Sequence, residues 1–317
     1  MARIPAPVAA VRAAVRRALP AGGLVLVACS GGADSLALAA AARFVGRSVG
    51  LVTVDHGLQA GSDRRAADVA AWARSGGFDP VEVATVDVTG LPGGPEAAAR
   101  AARYAALSAA AERAGAAAVL LGHTRDDQAE TVLLALARGA GPRGLAGMPH
   151  RKGLFLRPLL DVPRADTRKA CAALGLVPWE DPHNVDPAYA RSRVRGSALP
   201  ALVAALGTGV VGNLARSASM IAADNNALDA LASTALATAR TAVGLSVAGV
   251  AGLSRAVRTR VLHAWARELG ATGGALSHRH VAALDALITD WHGQGPAHLP
   301  GGIVVARERG ALVRVPQ

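Results

Sequence analysis

The stretch "LVLVACSGGADSLAL" (residues 24–38) begins and ends as an apolar run, with a glycine pair, two serines and an aspartate between. An apolar strand that turns sharply into a helix exposes the first backbone N–H groups of that helix. Those groups and the helix dipole make an anion site. Gly31 and Gly32 let the backbone turn and let a phosphate approach. Ser30 and Ser35 add hydroxyls on either side of Ala33. Asp34 sets a carboxylate beside the phosphates, which makes sense if Mg²⁺ bridges them. No Gly-Lys-Ser/Thr follows, so this is not a Walker A loop. Nor is it a G-x-G-x-x-G dinucleotide turn. Alone, the segment reads equally as an ordinary strand–turn–helix connection with Asp34 as a cap.

The surrounding pattern decides between these readings. Residues 24–29, 49–54, 81–86 and 118–121 are short apolar or β-branched runs. Helical patterns at 36–45, 64–74, 95–114 and 127–138 separate or follow them. A further run follows at 154–156. This alternation predicts an α/β fold with a doubly wound parallel sheet. "SGGADS" follows the first strand, "DHG" (55–57) the second, "DVTG" (87–90) the third and "GHTRDDQAE" (122–130) the fourth. All four fall at the C-terminal ends of strands, where open α/β sheets bind ligands.

Each of these motifs has a structural reading beside a functional one. Asp55 and His56 serve either as nucleotide contacts or as a turn satisfying its own backbone. His123, Asp127 and Glu130 are spaced to share one helical face and point to metal binding or proton transfer. Asp126 is expected to act as a cap. The "PEAAARAARY" helix (95–104) aligns Glu96, Arg100, Arg103 and Tyr104 in a stripe. Arg103 reads as a phosphate or charge clamp. Arg100 reads as such a clamp or as a surface partner of Glu96. The segment 179–202 carries Arg191, Arg193 and Arg195, as a solvated linker or as an RNA-facing strip.

Composition narrows the field. The chain has 317 residues with a formal net charge of +11, which suits a polyanionic partner. Cys29 and Cys171 are far apart and form no metal-binding pair. They fit a reducing, cytoplasmic setting. The N-terminus reads as a short basic amphipathic helix rather than a signal peptide, and no window predicts a membrane span. After about residue 200 the chain turns into alanine-rich helices (203–240, 252–270, 277–291) and a final hairpin. Two domains are expected, 1–202 and a smaller, mainly helical unit at 206–317 that ends in the hairpin.

"SGGADS" after a hydrophobic strand resembles the PP-loop of the ATP pyrophosphatases. In order, "SGGADSLAL", "VDHGL", "EAAARAARY", "LGHTRDDQAET", "GPRGLAGM", "RPLL" and "WEDPHN…YARSRVR…LPAL" resemble the tRNA(Ile)-lysidine synthases. The resemblance implies a PP-loop ATP pyrophosphatase fold of the adenine nucleotide alpha-hydrolase type. It implies ATP-dependent ligation of lysine to the wobble cytidine of a tRNA(Ile) with a CAU anticodon, through an adenylated cytidine, releasing AMP and pyrophosphate. ATP would lie on residues 30–35 with Asp55 and His56, and Mg²⁺ on Asp34. Arg103 would stabilise the adenylated intermediate. Asp127 and Glu130, assisted by His123, would position the lysine amine or take its proton. Arg100, Tyr104, Arg191, Arg193 and Arg195 would meet tRNA. Gln59 departs from the arginine common after "DHGL" in the family. Some members carry a further C-terminal domain, and this chain is expected to discriminate tRNA without one. The oligomeric state stays open, a homodimer included. Two alternatives stay open as well. A PP-loop tRNA thiolase would need more cysteine chemistry than two unpaired residues offer. A non-catalytic RNA-binding protein would share the positive charge but release no AMP.

Overall fold

The computed structural model describes residues 4–46, 48–57, 61–87, 95–180 and 186–316. Gln59, residues 88–90 of "DVTG", residues 181–184 of "WEDPHN" and the Glu96 side chain lie outside what is described. The chain divides into two compact units, Met1–Ile221 and Ala222–Gln317.

The first unit runs α1 (Ala6–Ala18), β1 (Val25–Ala28), α2 (Ala33–Val45), β2 (Val49–Asp55), α3 (Ser62–Ser75) and β3 (Val81–Thr85). It continues with α4 (Pro95–Arg113), β4 (Ala118–Leu121), α5 (Arg125–Ala137), α6 (Pro142–Leu145), β5 (Arg151–Lys152), β6 (Phe155–Leu156) and α7 (Arg164–Ala173). Then come α8 (Ala190–Arg193), a π-helical turn (Val194–Ala198), α9 (Leu199–Leu206) and the start of α10 (Val210–Ala239). The strands form one sheet in the order β3-β2-β1-β4-β6-β5. All neighbours are parallel except the short β5–β6 pair.

The expected doubly wound architecture is therefore present, and the apolar runs explain it. Both faces of each central strand are buried. Val25, Val27, Val49, Leu51, Ala118 and Leu120 pack into one layer with α1, α2 and α7. Leu26, Val52, Val119 and Leu121 pack into the other with Leu107, Ala110 and Ala111 of α4. Strands buried on both sides lose the polar alternation of a half-solvated sheet and read as continuous apolar runs. The first connections lead from β1 to β2 and β3, and the chain then returns to place β4 on the other side of β1. The strand order reverses between β1 and β4, and a ligand cleft opens outside their C-terminal ends at such a point.

The second unit holds the rest of α10, β7 (Leu245–Ser246), α11 (Val247–Ala251), α12 (Arg255–Glu268), α13 (His278–Thr289), β8 (Ala297–Leu299), β9 (Ile303–Glu308) and β10 (Ala311–Val315). The final hairpin turns through Arg309 and Gly310, both at positive φ (46° and 80°), which is the two-residue turn that matches strand twist. The sequence did not announce its flanking strands. β7 and β8 complete an antiparallel sheet in the order β7-β10-β9-β8. They are two and three residues long, too short to show a period. Among the described residues no single helix is long and apolar enough to cross a membrane.

Candidate active site

The loop after β1 is braced from within. The Ser35 hydroxyl donates to the Gly32 carbonyl at 2.9 Å, and its oxygen accepts the Ser30 N–H at 3.2 Å. Gly31 sits at φ +82°, and a Cβ there would come within 3.0 Å of Val69. The Gly31 carbonyl accepts the Trp179 N–H at 3.0 Å. Ser30 is left exposed at the mouth of the loop, while Ala33 and Ser35 are buried under it. The first turn of α2 therefore presents its N–H groups to the cleft, as an anion requires.

Asp34 stands at the start of α2 among polar groups from α7. The Thr167 hydroxyl donates to its Oδ1, and the Arg164 Nε lies 3.5 Å from its Oδ2. Burial nevertheless pushes the Asp34 carboxyl above the usual carboxylate value, outweighing Thr167 and Arg164. An under-compensated carboxylate beside a phosphate loop fits a divalent cation bridging it to phosphate oxygens. No group of three or more His, Cys, Asp or Glu side chains among the described residues could hold a metal. Phosphate oxygens and water would supply the other ligands.

Across the β1–β4 boundary, α5 begins with Thr124 as its cap. Asp127 Oδ2 accepts both the backbone N–H and the hydroxyl of Thr124, each at 2.8 Å. Two expectations are corrected here. His123 lies before the helix, so only Asp127 and Glu130 share its face. Asp126 is not the cap: its Oδ2 accepts the Arg164 backbone N–H at 2.8 Å, and Asp127 does the capping. The signal was available, because Thr124 with an acid three residues on is a capping box written with aspartate.

Asp127 and Glu130 are both claimed by guanidinium groups. Asp127 Oδ1 accepts from Arg164 Nη2 at 2.7 Å and from Arg195 Nη2 at 3.3 Å. Glu130, whose side chain is 0% exposed, accepts from Arg164 Nη1 at 3.0 Å, Arg191 Nε at 3.2 Å, and Arg195 Nε at 2.8 Å and Nη2 at 3.1 Å. Burial would raise the Asp127 pKa. The Arg164 charge and the Thr124 hydrogen bonds more than offset it and hold the carboxyl below its usual range. Arg191 and Arg195, expected to face RNA, instead point inward onto Glu130. The reason is electrostatic: a fully buried carboxylate must be paired. A π-helical turn carries Arg195 in this run. Arg193 donates to the carbonyls of Pro187 and Ala188 at 2.7 and 2.9 Å and braces its own loop.

The remaining wall is cationic. No acceptor among the described residues pairs with Arg103, whose guanidinium lies 5.8 Å from the centre of the Tyr104 ring. Burial, followed by the nearby Arg100 charge, lowers the Arg103 pKa. Tyr104 Oη accepts from Arg100 at 3.3 Å and from Arg157 at 3.1 Å. Arg157 is 3% exposed and its Nε has no partner among the described residues. The buried Nδ1 atoms of His123 and His56 are likewise unpartnered there. Burial, with Arg103, Arg157 and Arg191 nearby, drives the His123 pKa down to about 3 against the pull of Asp127. Its imidazole is neutral at neutral pH. Burial and Arg103 lower His56 in the same sense. Asp55 caps its own turn, with Oδ1 accepting the Gly57 N–H at 3.0 Å, and hydrogen bonds from Ser62 and Gly57 hold its pKa low.

The sequence reading missed Arg164, Arg157, Thr167 and Gly122. "RPLL" marked the Arg157 segment without a role for the residue. Arg164 and Thr167 carried no signal, since their partners lie more than thirty residues away in the chain. At Gly122 a Cβ would lie 3.2 Å from both Cα and N of Ser35, so the bare glycine lets the chain after β4 pack against the phosphate loop without displacing it.

With this geometry in place, comparison with known proteins is direct. A PP-loop domain model matches residues 12–202, and a TilS substrate binding domain model matches residues 245–313. A tRNA(Ile)-lysidine synthase of Salinispora tropica is 67% identical, covering 99% of this chain and 98% of that protein. One of Thermobifida fusca is 57% identical, covering 98% of each. Among solved structures, the U34-tRNA thiolase NcsA of Methanococcus maripaludis, with its [4Fe-4S] cluster, is similar in fold. Its TM-score is 0.55 at 18% identity, over 68% of this chain and 79% of that one.

Proposed function

The chain belongs to the tRNA(Ile)-lysidine synthase family, and on that premise we propose how its cleft joins lysine to the wobble cytidine of a tRNA(Ile) with a CAU anticodon. In the first step the cytidine C2 oxygen attacks the α-phosphorus of ATP. A P–O bond forms, the bond to the β-phosphate oxygen breaks, and pyrophosphate leaves. In the second, the lysine ε-amine attacks C2, the C2–O bond breaks, and AMP leaves.

Residues 30–35 and the first turn of α2 hold the ATP phosphates. Asp34 supplies a carboxylate for Mg²⁺, whose chemistry when bound is to neutralise phosphate charge. His56, beside the loop at the end of β2, lines the nucleotide site, and Asp55 shapes its turn. Arg103 carries no ion pair of its own among the described residues, so it is available for the charge that develops on phosphate. Tyr104, held by Arg100 and Arg157, lines the same wall toward the RNA.

Asp127 and Glu130 hold the lysine ammonium. Asp127, held below its usual range by Arg164 and Thr124, is a strong partner for a cation and a weak proton acceptor. The ammonium sheds one proton to water before it attacks, and neutral His123, its Nδ1 unpartnered among the described residues, accepts a hydrogen bond from the amine. Glu130 also organises Arg191 and Arg195. The reaction belongs in the cytoplasm, where ATP, lysine and tRNA meet.

One observation carries this reading: a phosphate loop, the Asp127–Glu130 carboxylate pair and an arginine without an acceptor among the described residues stand at the β1–β4 boundary. The test is AMP release from ATP with an unmodified tRNA(Ile) transcript bearing CAU, with and without lysine. Labelled lysine joining the RNA, dependent on ATP, supports it. AMP release without lysine-linked RNA overturns the second step.

A further inference from the structure

No motif singled out Arg164, yet it touches more of the cleft than any residue the motifs named. Its Nη2 and Nη1 reach Asp127 and Glu130 at 2.7 and 3.0 Å, and its Nε lies 3.5 Å from Asp34. Its backbone N–H is fixed by Asp126. The guanidinium thus spans from the phosphate loop to the carboxylates of α5.

We propose that Arg164 is a positioning residue that couples the two halves of the cleft, so that nucleotide binding at the phosphate loop releases Asp127 and Glu130 for the lysine ammonium. This rests on the assignments of ATP and lysine made above. Competition for carboxylate oxygens argues for it. Arg164, Arg191 and Arg195 already donate to Asp127 and Glu130. An entering ammonium displaces one of these donors from the oxygens it takes. Arg164 pairs with Asp34 at the phosphate loop as well as with both carboxylates of α5, so it senses the loop directly. Polyphosphate draws its guanidinium toward the loop. That draws Arg164 away from the carboxylates of α5, and a coupling of this kind is reciprocal.

The test is calorimetric titration of L-lysine into the full chain, alone and with Mg²⁺ and α,β-methylene ATP. For the unaltered protein the expected result is lysine binding at least about tenfold tighter with the nucleotide. For Arg164→Gln the ratio falls to within about twofold, and lysine affinity without nucleotide rises toward the nucleotide-bound value. Arg164→Lys, which keeps one cation but cannot span both carboxylate sets, gives an intermediate ratio and stands in if the Gln variant does not fold. A purely structural role would weaken both affinities together and leave the ratio intact, and that result overturns the proposal. So does a lysine affinity in the unaltered protein that ignores the nucleotide. Asp127→Asn separates the two layers. Unchanged lysine affinity in that variant overturns the lysine site itself, and the coupling with it. Weakened affinity there, beside nucleotide-independent binding in the unaltered protein, overturns the coupling alone.

Discussion

Gly122 at the end of β4 lies against Ser35 of the phosphate loop so closely that a Cβ would stand 3.2 Å from the Ser35 nitrogen. Strand and loop are thereby locked at the cleft's floor. Gly122→Ala must push the loop by a few tenths of an ångström, against backbone atoms that cannot rotate away. The expected cost is about 1–3 kcal/mol of stability, the usual range for overpacking. The KM for ATP is expected to rise several-fold, because Ser30 and the α2 amides shift together. Urea unfolding and initial-rate kinetics check both parts.

Arg103 has no acceptor among the described residues, and its removal should separate stability from activity. Arg103→Ala is expected to leave the melting temperature level or slightly raised, since a desolvated cation is lost. AMP release should fall by about 10²–10³-fold, the scale for losing one charge-stabilising group. A variant that loses both in parallel would place Arg103 in the framework instead.

Glu130 behaves in the opposite way. It is fully buried and satisfies three arginines. Glu130→Gln leaves those guanidinium groups short of an anion. The expected loss is about 3–5 kcal/mol, the range for breaking a buried ion pair from one side. Chemical denaturation measures it, and a loss below about 1 kcal/mol would contradict the network described here.

The buried histidine gives a pH signature. The His123 pKa in the folded chain is about 3, below the ordinary imidazole value. Between those two values the unfolded chain binds the proton and the folded chain does not, so stability drops as pH falls from about 6.5 toward 3. The slope from this one group is about 1 kcal/mol per pH unit. His56 acts in the same direction. Asp127, held low, adds loss at the acid end, while Asp34, held high, gains stability there and offsets part of it. His123→Asn should flatten the decline between pH 7 and 5, where the carboxylates contribute least. Urea midpoints at those two pH values decide it.

The sheet was legible because burial on both faces writes itself into the strands as apolar runs, and the runs of 25–28 and 118–121 needed no context. The phosphate loop was legible because turning a strand into a helix demands particular residues at consecutive positions. His123 was misplaced onto the helix because spacing alone does not say where a cap falls. Arg191 and Arg195 were read outward because arginine near a basic strip usually is solvated. Their inward turn depends on Glu130, some sixty residues earlier.

The order of motifs along the chain therefore sufficed for the fold class, the family and the cleft's location, since each rests on interactions between near neighbours in sequence. Which charges meet was settled by packing. Arg164 acquires its role only when α7 is laid beside α5 and the start of α2, bringing one guanidinium to carboxylates from two segments. Ion pairing acts over a few ångströms in space and is indifferent to separation along the chain, so no local pattern could have carried it.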